Sequence, residues 1–295
     1  MGNAGFQSIP PGEAERLVAE GRVRPIDVRT PAEFRSLGHI PGALLLPVDL
    51  VAVAPATLPR DGPPLLVYCE QGVRSAAAAR FLTAAGFPGV LNMSGGMSVW
   101  TGPRDWSEGD PFGAAGPCSW LVENADLLPR PGGRALDVAC GRGRHALLLA
   151  SAGLQVTAVD KDGTSIEELA EDARRLGLPI STQRLDLEEE AVELGDGMYD
   201  LVLVVHYLHR PLFPALIQAL RPEGVLLYET FTQQQARRGH PRNPAFLLAP
   251  GELPGLVAPL RIVRQREGDF EGRCVAAVAA RRSVVGPGGF EPPTF

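Results

Sequence analysis

The sequence predicts an α/β fold in two parts: a small α/β domain, then a Rossmann-like, doubly wound domain. Three observations carry this. Short apolar runs alternate with helical runs twice along the chain, as strands joined by crossover helices do. The runs are continuously apolar rather than alternating, so parallel strands covered on both faces are expected. Between the halves lies "TGPRDWSEGDPFGAAGPCSW", dense in Gly, Pro and Asp and without apolar period. The chain has 295 residues, more than one core comfortably serves. The expected boundaries are 1–107 for the first domain, 108–117 for a linker, 118–282 for the second domain and 283–295 for a tail.

In the first domain "RPIDV", "ALLLPV" and "PLLVYC" read as short buried strands. "PPGEAERLVAEG", "TPAEFRSLG" and "SAAAARFLTAAG" read as helices, with Pro, Ser or Thr near their starts and Gly at their ends. The second domain opens on a short helix, "SWLVENADLLP", followed by the strands "RALDVACG", "LQVTAVD", "PISTQRLDL", "YDLVLVVHYL" and "EGVLLYETF". Helices are expected at "RHALLLASAG" and "TSIEELAEDARRLG". No repeat relates the halves. The tail "GPGGFEPPTF", with three Pro and three Gly in ten residues, is expected to lack order.

Composition narrows the function. The chain is 45% hydrophobic and 21% charged, ordinary for a globular protein. Its formal charge of −6 argues against a nucleic-acid partner. The four cysteines, Cys69, Cys118, Cys140 and Cys274, form no CxxC pair. That fits a reducing compartment and argues against a metal site. No apolar run reaches membrane-span length, so no membrane partner is expected. The start, "MGNAGFQSIPPGEAE", has no signal-peptide pattern, and Phe6 stands where myristoylation needs Ser or Thr. A cytoplasmic location is expected.

The first chemical candidate is Cys69 in "VYCEQGVRSA". It closes a strand, and a helix starts a few residues on. The backbone N–H groups between have no helical acceptors and hold positive potential in the turn. A thiolate there is stabilised, Arg74 adds a charge, and Gly72 permits the twist that turns the amides inward. Cys69 therefore reads as a nucleophile in an anion cradle, against the plainer alternative of a buried strand-end cysteine.

These residues resemble the rhodanese family of sulfurtransferases over residues 8–107. "IDVRTPAEFRSLGHIPGA", with Asp27, Arg29, Glu33, His39 and Gly42, is similar to the family's opening signature, and "LNMSGGMSVW" to its closing segment. The resemblance implies that Cys69 carries sulfane sulfur as a persulfide, wrapped by the loop from Glu70 to Arg74. Four residues between Cys69 and Arg74 suit sulfur, whereas related phosphatases have one more. A sulfane-sulfur donor is the implied partner. Glu70 and Gln71 depart from the basic residues such loops often carry, which argues against anionic thiosulfate. Arg29, Glu33 and His39 read as structural rather than catalytic.

The second candidate is "RALDVACGRGRHALLLA", an apolar strand running into Gly-x-Gly and a helix. Asp137 sits at the strand end, with Gly141 and Gly143 in the turn, where the backbone can approach a nucleoside. Asp160 ends the next strand, 23 residues on, where a carboxylate can accept both ribose hydroxyls. Dinucleotide and S-adenosylmethionine pockets both begin this way. The third Gly of Gly-x-Gly-x-x-Gly is missing here, and Asp137 suits a cationic ligand.

The segment resembles class I S-adenosylmethionine-dependent methyltransferases, most closely the small tellurite-resistance and thiopurine type, over 118 to about 232. The resemblance implies S-adenosyl-L-methionine contacts at Asp137, Ala139, Gly141, Gly143, Asp160, Asp186, Leu187 and His206. Ala139 replaces the first Gly of the loop in many members. Asp200 reads as a strand anchor. Tyr207, His209, His240, Arg242 and Asn243 lie where the acceptor side would be built, at C-terminal strand ends.

The expectation is a bifunctional enzyme: a sulfurtransferase joined to a methyltransferase acting on a small nucleophile, such as sulfur or another chalcogen. Two alternatives stay open: methylation of another small metabolite or RNA, and a first domain that senses oxidants or polysulfides without turnover.

Overall fold

The computed structural model describes residues 5–106, 116–190 and 192–283. Nearly all of the expected linker and tail lies outside them. Among the described residues no helix is long and apolar enough to cross a membrane.

The first part runs β1 (Gln7–Ile9), α1 (Pro11–Ala19), β2 (Arg24–Asp27), α2 (Pro31–Leu37) and β3 (Leu44–Leu45). After a 3-10 turn at Val48–Val53 come α3 (Ala54–Thr57), β4 (Leu65–Tyr68), α4 (Val73–Ala84) and β5 (Leu91–Met93). The sheet order is β1-β5-β4-β2-β3 with neighbouring strands parallel throughout. β1 and β5, three residues each, are too short to show a period, and they were not expected as strands. The central strand is β4. Its Leu65 and Val67 pack in one apolar cluster with Ile26, Ala78 and Leu82. Leu66 and Tyr68 pack in another with Ile9, Met93 and Met97. Burial on both faces explains why this strand is wholly apolar, and it fixes the spot where Cys69 emerges.

Helix α2 starts on a capping box. The Thr30 hydroxyl accepts from the Glu33 N–H, and the Glu33 carboxylate accepts from the Thr30 N–H at 2.9 Å. Both orphan donors of the first turn are met.

The second part runs α5 (Ser119–Glu123), β6 (Arg134–Val138), α6 (Arg144–Ser151), β7 (Gln155–Asp160), α7 (Gly163–Leu176) and β8 (Ile180–Arg184). Then follow β9 (Tyr199–Val205), α8 (Phe213–Ala219), β10 (Leu220–Phe231), α9 (Leu253–Leu256), β11 (Arg261–Phe270) and β12 (Arg273–Arg281). The order is β11-β12-β10-β9-β6-β7-β8. β10, β9, β6 and β7 are mutually parallel, as expected. The expectation of an all-parallel sheet is corrected at one edge, where β12 runs antiparallel to both β10 and β11. The reason is local. β11 and β12 are joined by the two residues Glu271 and Gly272, both at positive φ (53° and 74°). Such a turn forces an antiparallel hairpin. Asp200 at the start of β9 accepts from the Arg134 N–H at 2.8 Å and pairs with Arg221, which ties strand beginnings together.

Replacing Thr30 with Ala removes the hydroxyl half of the α2 cap. We expect a loss of about 1 kcal/mol, read by urea denaturation of the whole chain.

Candidate active sites

Cys69 follows the last residue of β4 and is 1% exposed. Its Sγ accepts from the N–H of Gly72 at 3.1 Å and of Ser75 at 3.4 Å. Gly72 holds φ at +86°, which turns its N–H toward the sulfur. The Ser75 hydroxyl, fully buried, faces the same sulfur outside strict hydrogen-bond geometry. Burial pushes the thiol up. Donation from Ser75, Gln71 and Gly72 outweighs burial, so the Cys69 pKa lies below the ordinary thiol value.

Arg74 differs from expectation in its main partner. Both of its terminal nitrogens go to Glu33, at 2.9 and 2.5 Å. Its pKa is raised chiefly by Glu33, with Cys69 contributing less. Arg74 holds the Glu33 carboxyl down at about 2, with Thr30 adding to the effect against burial. The low folded value means that this pair contributes stability above the ordinary carboxylate pKa, and loses it as pH falls toward 2. The sulfur is thus stabilised mainly by hydrogen bonds, with the guanidinium fixed beside it.

The opening signature holds the cradle at both ends. Arg29, fully buried, is bidentate on Asp27, donates to the Gly38 carbonyl at 2.7 Å, and reaches Glu70 at 3.1 Å. Glu33 holds Arg74 at the far end. From behind, the Met97 and Ser98 N–H groups donate to the carbonyls of Cys69 and Glu70, each at 2.9 Å. A Cβ on Gly96 would collide with those same carbonyls. The segment read as the domain's close is therefore the backing of its loop. His39 stacks on Phe34 at 3.7 Å, a structural contact.

In the second part, strand register brings the expected cofactor residues to one end of four adjacent strands. β9 pairs Val204 with Val138 of β6, and β6 pairs Val138 with Val159 of β7. His206, Ala139 and Asp160 therefore leave the sheet side by side. The Leu185 N–H donates to the Asp160 carbonyl at 2.9 Å, which brings Asp186 alongside. Asp137 is buried beneath the loop, and the Cys140 N–H donates to Val159. Gly143 (φ +76°) has no room for a side chain, since a Cβ would collide with Leu169. Ala139 holds φ at +54°, so it strains the backbone as well as adding a methyl. Leu187 is buried in the main apolar cluster.

The acceptor-side residues are partly gathered. The Tyr207 hydroxyl is buried. Burial first, then the charges of Glu188, Asp186 and Asp160, push its pKa up, so it stays a proton donor. His209 is half-buried ahead of a short turn, while His240, Arg242 and Asn243 are exposed. The Asn243 carboxamide accepts from Ala245 within its own turn. Arg210 ties this segment to the end of β9 through Glu252 and the carbonyls of Ala245 and Leu247.

Sequence reasoning missed Glu229 and Arg266. Glu229 is buried on β10, accepts from Arg266 at 2.7 Å, and lies 3.8 Å from the Nε2 of His206. Arg266 also grips Glu123 and lies over the rings of Trp120 and Phe270. The one signal was an acid inside the apolar run "VLLYETF". His206 itself has φ +59°, rare for a non-glycine residue.

Taken together, the two parts of the chain define a transferase. The rhodanese-like domain family matches residues 10–103, and the methyltransferase domain family matches 135–224. A sulfurtransferase of Allochromatium vinosum is 38% identical over 87 residues, covering 30% of this chain and 79% of its own. Thiosulfate sulfurtransferase GlpE of Shewanella oneidensis is 31% identical over 97 residues, covering 32% of this chain and 92% of its own. The ubiquinone biosynthesis O-methyltransferase of Bordetella bronchiseptica is 31% identical over 158 residues, 51% of this chain; the match spans 60% of its length. The chain belongs to the rhodanese-like family through its first part and carries an S-adenosylmethionine-dependent methyltransferase domain in its second.

If hydrogen bonds rather than charge set the thiol, the rate of Cys69 alkylation against pH has its midpoint below that of a free thiol. Ser75→Ala, which removes the hydroxyl and keeps the backbone N–H, moves that midpoint upward. An unmoved midpoint in Ser75→Ala would show that the hydroxyl plays no part.

Proposed function

We propose that the protein is a bifunctional transferase in which Cys69 carries a persulfide and the second domain methylates a small nucleophile, sulfur or a related chalcogen. The observation supporting the first half is the set of donors converging on one buried Sγ from Gly72 and Ser75. Those donors hold negative charge on sulfur before and after it accepts a second sulfur atom. The clamps at Glu70 and Arg74 keep the donors in place, so no reorganisation accompanies the transfer.

For the second half, the residues present fit S-adenosylmethionine. Asp160 and Asp186 stand on neighbouring strand ends where ribose and adenine groups can be accepted. The Gly141–Gly143 turn lets the backbone come close, and the buried Asp137 supplies negative charge for a cationic ligand. When bound, the cofactor supplies an electrophilic methyl group on a sulfonium. The chain's own work is to hold the acceptor in line and exclude water. Tyr207, protonated, donates a hydrogen bond rather than removing a proton. His206, beside Glu229, is the group placed to take a proton from an acceptor that carries one. A sulfide or thiolate acceptor arrives already anionic and needs no base.

Two measurements test this. With a sulfane donor present, intact mass shows Cys69 gaining one sulfur, removable by cyanide, and Cys69→Ser gains none. With labelled S-adenosylmethionine added, methylated sulfur forms above the Cys69→Ser control; equal product from both would break the coupling. Separately, Asp160→Ala weakens S-adenosylmethionine binding by about tenfold, ~1.4 kcal/mol, by calorimetry. Unchanged binding would remove Asp160 from the site.

A further inference from the structure

A cavity of about 620 Å³ lies in the second part where β6, β9 and β10 begin and the antiparallel β12 ends. It is at the opposite end of these strands from Ala139 and His206. Its size is that of a small-molecule site, roughly 300–1,000 Å³. Two turns wall it. One is Arg130–Gly133, closed by the Gly133 N–H on the Arg130 carbonyl at 2.9 Å. The Gly132 N–H pins this turn to the Gly153 carbonyl at 2.8 Å, and Pro129 and Pro131 stiffen it. The other wall is the bulge between Leu220 and Val225, where β10 shifts register against β9. The Glu223 N–H donates to the Arg282 carbonyl at 2.8 Å, and the Arg282 N–H to the Gly224 carbonyl at 2.9 Å. Backbone hydrogen bonds thus hold both walls in shape, so a ligand meets a site already formed.

The charge of the lining runs against that of the chain, whose formal net charge is −6. Arg130, Arg134, Arg221 and Arg281 line the cavity with three carboxylates, Asp126, Asp200 and Glu223. Each carboxylate already has a guanidinium. Arg264 grips both oxygens of Asp126 at 2.7 Å, the buried Asp200 pairs with Arg221, and Glu223 lies 3.7 Å from Arg281. With Arg264 counted, five guanidiniums stand against three carboxylates, an excess of two. The excess has an address. Among the described residues no carboxylate lies in ion-pair range of Arg130 or Arg134, and both are exposed. Arg134 lies over the Tyr199 ring at 5.5 Å, and its backbone N–H, not its guanidinium, goes to Asp200. Leu128, Pro129, Pro222 and Val225 give the same cavity apolar wall. Two uncompensated cations on a preformed, partly apolar cavity make a site for an anion that carries a carbon body.

We propose that this cavity binds an organic phosphate monoester, its phosphate on Arg130 and Arg134 and its carbon body against the apolar wall. A phosphate monoester carries a charge of about −1.5 to −2 near neutral pH, which matches the excess of two. The planar guanidinium fork pairs with two phosphate oxygens at once, and two forks satisfy one phosphate group. A carboxylate would neutralise only one of the two. Inorganic phosphate would meet the charge and leave most of the volume and all of the apolar wall unused. The site is independent of both transfer reactions, and its ligand need not be a substrate of either.

Calorimetry on the full chain with phenyl phosphate, glucose 6-phosphate and inorganic phosphate tests this. At least one monoester is expected to bind about tenfold or more tightly than inorganic phosphate. Phenyl phosphate ahead assigns an aromatic or apolar body, and glucose 6-phosphate ahead a sugar; either supports the proposal. Arg130→Ala and Arg134→Ala are each expected to weaken the better monoester about tenfold. Both are exposed changes, and Arg134→Ala keeps the backbone N–H that Asp200 accepts, so the fold stands. Saturating S-adenosylmethionine is expected to leave the monoester affinity unchanged. Monoesters that bind no tighter than inorganic phosphate overturn the proposal, as does unchanged affinity in either variant. Displacement by S-adenosylmethionine overturns it too, since the monoester would then occupy the cofactor's own pocket.

Discussion

A sulfur anion in a protein interior survives only if donors replace the water it has lost. That requirement organises the first domain. Cys69 sits at the end of the central strand, covered on both faces, where burial alone would keep the thiol protonated. The amides of the Gly72 turn and the start of α4 reverse the balance, but only if the loop holds its shape. Its shape is held from three sides: Arg29 on Glu70, Glu33 on Arg74, and the 97–98 amides on the loop's carbonyls. Residues that read as structural in the sequence turn out to hold the loop that surrounds the Cys69 thiol.

The second domain solves a different problem with the same geometry. Parallel strands send their C-terminal ends to one edge, so residues far apart in sequence meet there through register rather than direct contact. Asp160, Ala139 and His206 come together because β7, β6 and β9 are neighbours. Two non-glycine residues at this edge, Ala139 and His206, take left-handed backbone conformations. Strain of that kind persists when the surroundings over-determine it. For His206 they include the Phe231 ring at 4.6 Å and the Glu229 carbonyl.

Much of this was legible in the sequence. The apolar runs gave away the inner strands because those strands are buried on both faces. The outer ones were not legible: β1 and β5 are too short for a period, and β11 is an edge strand with a largely polar, half-exposed face. Cys69, Gly72 and the Asp-Gly-Asp spacing of the second domain announced themselves because their chemistry needs those residue types at strand ends. The partners did not. That Glu33 would take Arg74, and that Arg266 would reach Glu229 and Glu123, depends on which strands lie side by side. A one-dimensional pattern does not encode that for single charged residues.

Glu33 closes the first turn of α2 with Thr30 and also anchors the far end of the nucleophile's loop. One carboxylate thus belongs to two parts of the molecule that are 41 residues apart in sequence. The loop is therefore not an interchangeable cassette. Transplanted into another scaffold without the Thr-Pro-Ala-Glu turn that faces it, the six residues from Cys69 to Arg74 would keep their order and lose their grip on the sulfur.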